Sequence, residues 1–280
     1  MKKKRAIVTG ASSGFGLLTV IELAKNGFHV IATMRDLHKS ELLIEKSKQE
    51  KVWDSITIHA LDVTSKESID IFKEYCHQFP SIDVLVNNAG IAIGGFHEEI
   101  TVEDYRSQFE TNFFGVIAVT QAILPMMRAQ KRGRIINMSS ISGKMGFPGL
   151  SPYVASKHAL EGYSESLSLE VQPFGIDVIL IEPGSYQTNI WSSVDEIEVK
   201  EDSVYHNYMT SLLTVMDAGK SKYGDPMDVA NLITKIASQK KKPHFRYPIG
   251  TGVKRNLFLK NILPWRIIEK VMLRVILKHE

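Results

Sequence analysis

Residues 9–16 read Thr-Gly-Ala-Ser-Ser-Gly-Phe-Gly, and they connect the apolar run Ala6-Ile7-Val8 to a segment in which apolar residues recur with helical spacing. The chain must turn sharply from a strand into a helix here, and Gly10, Gly14 and Gly16 leave the backbone bare at the turn. The first N–H groups of such a helix have no partner within it and can bind an anion. This stretch therefore predicts a phosphate cradle at the start of an α/β fold.

Short β-branched runs and longer helical segments continue to alternate after this turn. Strands that alternate with helices pair in parallel through right-handed crossovers, so the pattern predicts a doubly wound parallel sheet of the Rossmann type. Ligands of such sheets bind beyond the carboxyl ends of the strands. The predicted strands cover residues 6–8, 30–33, 56–61, 83–86, 134–138 and 177–181, and the predicted helices include 15–26, 66–78 and 104–128.

The 280 residues have an ordinary globular composition, with 44% hydrophobic and 23% charged residues, so we expect a single domain. Residues 1–235 are predicted to bind a dinucleotide and carry the chemistry, with a substrate lid at 189–223, and residues 236–280 to form a C-terminal extension. Cys76 is the only cysteine, which excludes an intrachain disulfide and favours a reducing, cytoplasmic setting. Only three apolar residues follow the basic N-terminus before the glycine turn, so no signal peptide is predicted.

Tyr153 and Lys157 lie four residues apart in Tyr-Val-Ala-Ser-Lys, a spacing that puts both side chains on one face of a helix. A free phenol has a pKa of about 10, and an adjacent ammonium favours the phenolate. The pair can therefore transfer a proton to or from a bound molecule. The alternative is that Tyr153 is only an amphipathic core residue.

Further motifs follow along the chain: Leu61-Asp62-Val63, Asn87-Asn88-Ala89-Gly90, Glu110 to Gly115 around Asn112, Ile135 to Ser140, and Pro183 to Thr188. In this order they resemble the motifs of the short-chain dehydrogenase/reductase family, in its smaller single-domain branch, up to about residue 235. The segments 160–184 and 32–36 are most similar to members that act on steroids and retinoids.

The resemblance implies a catalytic tetrad of Asn112, Ser140, Tyr153 and Lys157. Ser140 is preferred to Ser139 because the family places its serine thirteen residues before the tyrosine. In that arrangement Ser140 donates a hydrogen bond to the substrate oxygen, and Asn112 holds a water that links Lys157 to solvent. Taken alone, the two serines could form a strand-ending turn, and Asn112 could be a hydrogen-bonding residue inside a helix.

The resemblance also implies which residues hold a dinucleotide. Asp62 and Val63 would flank the adenine, 87–90 would line the floor of the site, and 183–188 would hold the carboxamide end. Tyr186 stands where the family more often has an aliphatic residue. The full predicted set is Gly10, Ser12, Ser13, Gly14, Phe15, Gly16, Arg35, Asp62, Val63, Asn87, Asn88, Ala89, Gly90, Tyr153, Lys157, Pro183, Gly184, Tyr186 and Thr188.

Met34-Arg35-Asp36 ends the second predicted strand, where dinucleotide-binding folds set their cofactor preference. A cation there pairs with the 2′-phosphate of NADP, whereas an acid accepts hydrogen bonds from the ribose 2′-hydroxyl of NAD. Arg35 can make the phosphate contact, and Ser12 or Ser13 can add a hydroxyl, so the prediction is NADP(H) in preference to NAD(H). The alternative leaves Arg35 in solvent and turns Asp36 toward the ribose.

These features together predict an NADP(H)-dependent oxidoreductase that interconverts a carbonyl and an alcohol on a hydrophobic small molecule. The alternative is a non-catalytic protein that senses NADPH and acts through a partner. The sequence has neither the His and Cys spacing of a metal site nor a nucleic-acid motif, so neither a metal nor a nucleic acid is expected. The resemblance implies a homo-oligomer.

The end of the chain is strongly basic. Residues 239–280 hold eleven Lys or Arg against two acids and carry +9, whereas residues 1–238 carry −6. From Leu263 onward basic side chains recur every four residues beside an apolar face, which predicts an amphipathic helix that is too short to span a bilayer. Segment 263–278 has three alternatives: it lies on an anionic membrane as a peripheral contact, it packs over the pocket, or it packs against a second subunit. We favour packing on protein, over the pocket or against a second subunit.

Overall fold

A computed structural model describes residues 3–188, 190 and 201–277 of the chain. Its strands are β1 Arg5–Val8, β2 His29–Met34, β3 Ile56–Ala60, β4 Val84–Asn87, β5 Gly133–Met138, β6 Ile176–Pro183 and β7 Arg246–Ile249. They form one parallel sheet in the order β3-β2-β1-β4-β5-β6-β7. The order reverses between β1 and β4, which is where such sheets open a ligand crevice at their carboxyl edge.

Helices cover both faces of this sheet. Val8 of β1 shares a buried core with Val20 on one face, whereas its neighbour Ile7 shares a second core with Phe72 on the other. The doubly wound α/β fold predicted from the sequence is thus confirmed. The helices are α1 Gly14–Lys25, α2 Glu41–Gln49, α3 Lys66–His77, α4 Val102–Phe109, α5 Gly115–Ala129, α6 Ser151–Val171, α7 His206–Gly219, α8 Pro226–Ser238, α9 Val253–Ile262 and α10 Trp265–Ile276.

Strand β7 is missing from the strands that the sequence predicted. It pairs in parallel with β6, with Arg246 opposite Leu180. Its four residues include Pro248 and show no alternation of buried and exposed positions, so no strand pattern marks it. Because β7 lies beyond residue 235, the sheet extends into the segment that the sequence assigned to the C-terminal extension.

The helix predicted at 104–128 is a continuous helical run, Val102–Ala129, with a π-helical segment, Glu110–Phe114, between α4 and α5. By length and composition alone this run could cross a membrane. However, Val119, Ile123 and Met127 are buried in the core that α5 forms with the sheet. The apolar character of α5 is therefore explained by packing inside the fold.

The end of the described chain forms two helices, α9 and α10. Helix α10 contacts α7, and its Ile276 is buried in one cluster with Met209 and Leu212 of α7. Helix α7 lies within the predicted lid 189–223, where the sequence showed no helical pattern. Residues 189 and 191–200 of that lid, and Lys278 of the predicted basic face, lie outside the described residues.

Candidate active site

A cavity of about 300 Å³ lies at the carboxyl edge of the sheet, beside the point where the strand order reverses. Every predicted site residue lines it except Gly16, Asn87 and Asn112. The prediction missed further lining residues, although most of them are direct neighbours of a predicted residue in the sequence. These are Met34, Leu61, Thr64, Ile91, Thr111, Met138, Ser139 and Ile190.

The glycine turn after β1 forms the floor of this cavity at the start of α1. Gly10 and Gly14 have φ angles of +66° and +53°, in the left-handed region that favours glycine. A Cβ on Gly10 would lie 2.8 Å from the Cα of Ala89. Ser13 makes no side-chain hydrogen bond to the start of α1, so it leaves the first N–H groups of that helix available for an anion. The turn therefore fits the pyrophosphate of a dinucleotide.

Gly16 lies behind the turn and keeps α1 close to the loop after β4. A Cβ there would lie 2.5 Å from Asn88 Nδ2 and closer still to the carbonyl oxygen of Gly10. Asn88 Nδ2 donates hydrogen bonds to the carbonyl oxygens of Thr9 and Gly10, at 2.9 and 3.0 Å. Gly16 thus acts through packing, which explains why it does not line the cavity.

Arg35 is exposed at the end of β2 and lines the cavity, whereas Asp36 is not among the lining residues. The carboxylate of Asp36 accepts a hydrogen bond from the backbone N–H of His38 at 3.0 Å and so caps the turn that follows. Hence a cation borders this end of the cavity, as binding of a 2′-phosphate requires.

Tyr153, Lys157 and Ser140 meet at the other end of the cavity, and all three side chains are buried. Lys157 Nζ lies 5.6 Å from the centre of the Tyr153 ring and donates a hydrogen bond to the carbonyl oxygen of Met138 at 2.7 Å. Ser140 is hydrogen-bonded to the phenol of Tyr153. The structure therefore brings three of the four predicted catalytic side chains together.

Burial dominates the protonation of this pair. It raises the pKa of Tyr153 to about 12, against the opposing effect of the Ser140 hydrogen bond. It lowers the pKa of Lys157 to about 8, against the opposing effect of the nearby Glu161 carboxylate. The sequence suggested that Lys157 lowers the pKa of Tyr153, but desolvation has the larger effect here. At neutral pH Tyr153 is a protonated phenol and Lys157 is mainly an ammonium.

Asn112 is buried on the π-helical segment and does not line the cavity. Its Nδ2 donates to the carbonyl oxygen of Ile91, and its Oδ1 accepts from the Ile91 N–H, both at 2.9 Å. Asn112 therefore clamps the backbone of a cavity-lining residue, and its role in holding a water stays a prediction. Asn87 likewise lies beneath the cavity, where its Nδ2 donates to Asn137 Oδ1 at 2.8 Å.

A group of polar and charged side chains lies behind Ser140, and we call it the Glu161 cluster. It consists of the buried Ser139, Glu161 and Glu182 and the partly buried Lys144 and Arg246. Ser139 Oγ donates to Glu161 Oε1 at 2.6 Å. Lys144 Nζ and Arg246 Nε lie 2.9 and 3.0 Å from Glu161 Oε2. Arg246 Nε also lies 3.2 Å from Glu182 Oε1. Sequence reasoning missed this cluster, because its members come from distant parts of the chain and share no motif.

The cavity is bordered by an apolar cluster that includes its lining residues Tyr153 and Ile190 and that reaches α7. Tyr153 belongs to a small buried cluster against which Met216 of α7 packs. Met216 also packs against the cluster that holds Met209, Leu212 and Ile276. A continuous apolar wall therefore runs from the Tyr153 ring through α7 to α10. The other members beside Tyr153 are Ala92, Leu150, Phe147, Val154 and Ile190.

Comparison with known proteins agrees with this geometry. The family model described as short chain dehydrogenase matches residues 4–198. The uncharacterized oxidoreductase YusZ of Bacillus subtilis (strain 168) is 50% identical, over 97% of this chain and 98% of its own. A 3-ketodihydrosphingosine reductase of Bacteroides thetaiotaomicron is 36% identical, over 93% of each chain. Retinol dehydrogenase 8 of Homo sapiens is 34% identical, over 86% of this chain and 79% of its own.

A solved structure supports the same conclusion. The structure described as ElxO with NADP bound superimposes with a TM-score of 0.76 at 29% identity, covering 91% of this chain and all of its own. Similarity to the retinol dehydrogenase bears out the resemblance to retinoid-acting members that the sequence indicated. The chain is therefore an oxidoreductase of the short-chain dehydrogenase/reductase family, which uses a nicotinamide cofactor to interconvert carbonyls and alcohols.

Proposed function

We propose that this enzyme is an NADP(H)-dependent reductase of hydrophobic carbonyl compounds, with Tyr153 as its acid and base. The observation that carries the proposal is the buried contact of Tyr153 with Ser140 and Lys157 at one end of a cavity whose other end is the glycine turn. Reduction of a carbonyl adds a hydride to carbon and a proton to oxygen, and bound NADPH supplies the hydride.

Tyr153 supplies the proton in this proposal. Burial raises the pKa of its phenol to about 12, so the proton stays on the side chain at neutral pH until a substrate oxygen becomes basic enough to take it. The Ser140 hydroxyl, hydrogen-bonded to the same phenol, can also donate to the substrate oxygen. The Lys157 ammonium then faces the phenolate and favours its formation. In the reverse direction the same phenolate takes the alcohol proton.

Preference for NADP(H) is supported by the charges at the end of β2. Arg35 borders the cavity, and the Asp36 carboxylate already accepts the N–H of His38. A guanidinium forms two parallel hydrogen bonds with a phosphate, which the ribose hydroxyl of NAD cannot offer. The relative solved with NADP is consistent with this preference.

A hydrophobic substrate is supported by the apolar wall beside Tyr153. Leu150, Phe147 and Met216 pack in the same apolar cluster as the Tyr153 ring. Apolar walls with a few polar groups are the usual form of a site for a hydrophobic small molecule. Two of the relatives carry names that specify a lipid ketone or a retinol. We place the substrate in this class, as a ketone or aldehyde on a long apolar skeleton.

The decisive experiment measures NADPH oxidation by the purified protein with long-chain ketones, retinal, steroid ketones and small water-soluble carbonyls. We expect turnover to increase with the apolar length of the substrate. Tyr153→Phe should reduce kcat about 10²–10⁴-fold, the usual contribution of a positioned acid, without weakening NADPH binding. Tyr163→Phe, on the same helix but outside the cavity lining, is the matched control and should keep its turnover.

Two outcomes would contradict the proposal. If Tyr153→Phe turned over as fast as the native protein, another group would be the acid. If NADPH bound tightly and no carbonyl were reduced, the sensing role would replace catalysis.

A further inference from the structure

Helix α10 exposes an apolar stripe to solvent. Ile267, Val271 and Val275 are 46%, 57% and 53% exposed, although side chains of this kind are usually buried. They recur every four residues and so form one line along the helix. Isolated exposed apolar residues are common, but an ordered line of them on one helix is typical of a surface that is covered by something else.

A basic stripe runs beside this apolar stripe. Arg266, Lys270 and Arg274 each precede one apolar residue and are all exposed. Glu269 is the only acid in α10. Lys and Arg side chains can extend along an apolar surface while their charges reach water or phosphate groups.

The opposite side of α10 is held in the fold. Ile276 is buried with Met209 and Leu212 of α7, and the partly buried Ile268 and Met272 share its side of the helix. The helix therefore does not need its exposed stripe in order to pack on the protein. Helix α10 thus has two apolar sides: one packs on α7, and the other faces outward.

We propose that α10 docks the enzyme on the surface of an anionic lipid membrane. The apolar stripe would enter the boundary between headgroups and acyl chains, and the basic stripe would bind lipid phosphates. Large aromatic and aliphatic side chains are also exposed at the start of α10 and on α9. They are Phe258, Ile262 and Trp265, which are 63%, 57% and 58% exposed.

The charge distribution favours a lipid surface over a second copy of the chain. A symmetric pairing of α10 with its copy would bring two basic stripes together. Residues 239–280 carry +9, whereas residues 1–238 carry −6. An anionic surface would therefore attract the end of the chain and repel the remainder, which fixes the orientation of the docked protein.

Docking at α10 would bring the membrane close to the active site. Ile276 of α10 and Met216 of α7 share one apolar cluster, and Met216 also packs beside Tyr153. A substrate dissolved in the bilayer would then meet the apolar wall of the cavity without crossing water. This consequence rests on the proposed function, whereas the docking itself does not.

The test is flotation of the full-length protein with vesicles of phosphatidylcholine, with and without phosphatidylglycerol. We expect binding only when phosphatidylglycerol is present, and we expect added NaCl to weaken it. Two triple variants should each lower binding at least about tenfold, because the basic residues bind the anionic surface and the apolar stripe supplies the insertion. They are Ile267→Ser with Val271→Ser and Val275→Ser, and Arg266→Gln with Lys270→Gln and Arg274→Gln.

Matched controls change the same number of exposed residues elsewhere. Lys240→Gln with Lys241→Gln and Lys242→Gln removes three charges outside α10. It should lower vesicle binding less than the triple variant of the α10 basic stripe does. Val102→Ser with Leu169→Ser and Val204→Ser removes three exposed apolar residues elsewhere and should leave binding unchanged. Thermal unfolding and turnover of a water-soluble carbonyl verify that every variant is folded.

Absence of flotation with anionic vesicles would overturn the proposal, whatever the enzyme activity. So would binding that survives both α10 variants. If the serine variant instead changed the sedimentation behaviour of the protein, the stripe would be an interface between copies. A failure of the proposed reductase function would appear in the turnover assay alone, so the two ideas are separable.

Discussion

Arg35 is the residue on which cofactor preference depends. It borders the cavity at the end of β2 and is exposed, so its removal should not disturb the core. We expect Arg35→Ala to weaken NADPH binding about tenfold, which corresponds to about 1.4 kcal/mol for a charge-assisted contact, and to leave NADH binding unchanged. Titration of each cofactor by protein fluorescence measures both affinities.

Lys39→Ala is the control for this change, because Lys39 is an exposed cation after the same strand that does not line the cavity. It should alter neither affinity. Equal losses for NADPH and NADH in Arg35→Ala would mean that Arg35 supports the cofactor without distinguishing the two.

At the scale of single residues, the sequence predicted the parts of the site that act through their own side chains or their lack of one. Tyr153 and Lys157 were found because their spacing of four residues implies a shared helix face, whereas Ser140 was found through the resemblance to the family. Glu161 and Glu182 could not be found in this way. They meet only because α6 packs across β6, and no local pattern in the sequence encodes that contact.

Helix α1 illustrates how one element positions the cofactor site. Its first turn approaches the loop after β4 so closely that a Cβ on Gly16 would lie 2.5 Å from Asn88 Nδ2. We expect Gly16→Ala to push α1 away from the cradle, to lower stability by roughly 1–3 kcal/mol and to weaken dinucleotide binding at least about tenfold. Chemical unfolding and cofactor titration measure the two effects.

Gly162→Ala is the matched control, since Gly162 lies inside α6 and nothing would lie within 4 Å of its added Cβ. Alanine is favoured over glycine inside a helix by roughly 1 kcal/mol, so this variant should be more stable than the native protein. If both substitutions were stabilising, the close approach at Gly16 would not constrain α1.

At the scale of elements, the alternation of short β-branched runs with helical segments predicted the first six strands, most of which are largely buried. Strand β7 was not predicted, because an edge strand of four residues that includes Pro248 carries no such pattern. Helix α7 was not predicted for a different reason. Only Met209, Ser211 and Leu212 of it are buried, and its apolar residues are mixed with polar ones.

At the scale of the whole molecule, the Glu161 cluster connects the edge strand β7 to its neighbour β6 and to helix α6. Arg246 of β7 contacts Glu161 and Glu165 on α6 and Glu182 on β6. The single N–H of Arg246 Nε is directed at Glu161, so Glu182 receives an ion-pair contact in place of an aligned hydrogen bond. These contacts connect the edge strand to the helix that carries Tyr153. Folding of β7 and of the active site is therefore linked.

Glu182 makes this link sensitive to pH. Burial and the neighbouring Glu161 charge raise its pKa to about 7, and Lys144 and Arg246 oppose that rise only in part. The folded chain therefore keeps the Glu182 proton at pH values where the unfolded chain has lost it. Stability from this group is fully present below the ordinary pKa of 4.5 and is lost as the pH rises through about 7.

Glu182→Gln tests this linkage, because an amide has the shape of the protonated carboxyl and does not ionise. We expect the free energy of unfolding of the variant, minus that of the native protein, to grow by on the order of 2 kcal/mol between about pH 5 and pH 8. Urea unfolding at a series of pH values measures that difference. Glu170→Gln, which removes an exposed carboxyl from α6, is the control for the loss of one acid. If the Glu182→Gln difference stayed constant with pH, Glu182 would be ionised in the folded chain, and Arg246 and Lys144 would already compensate its charge.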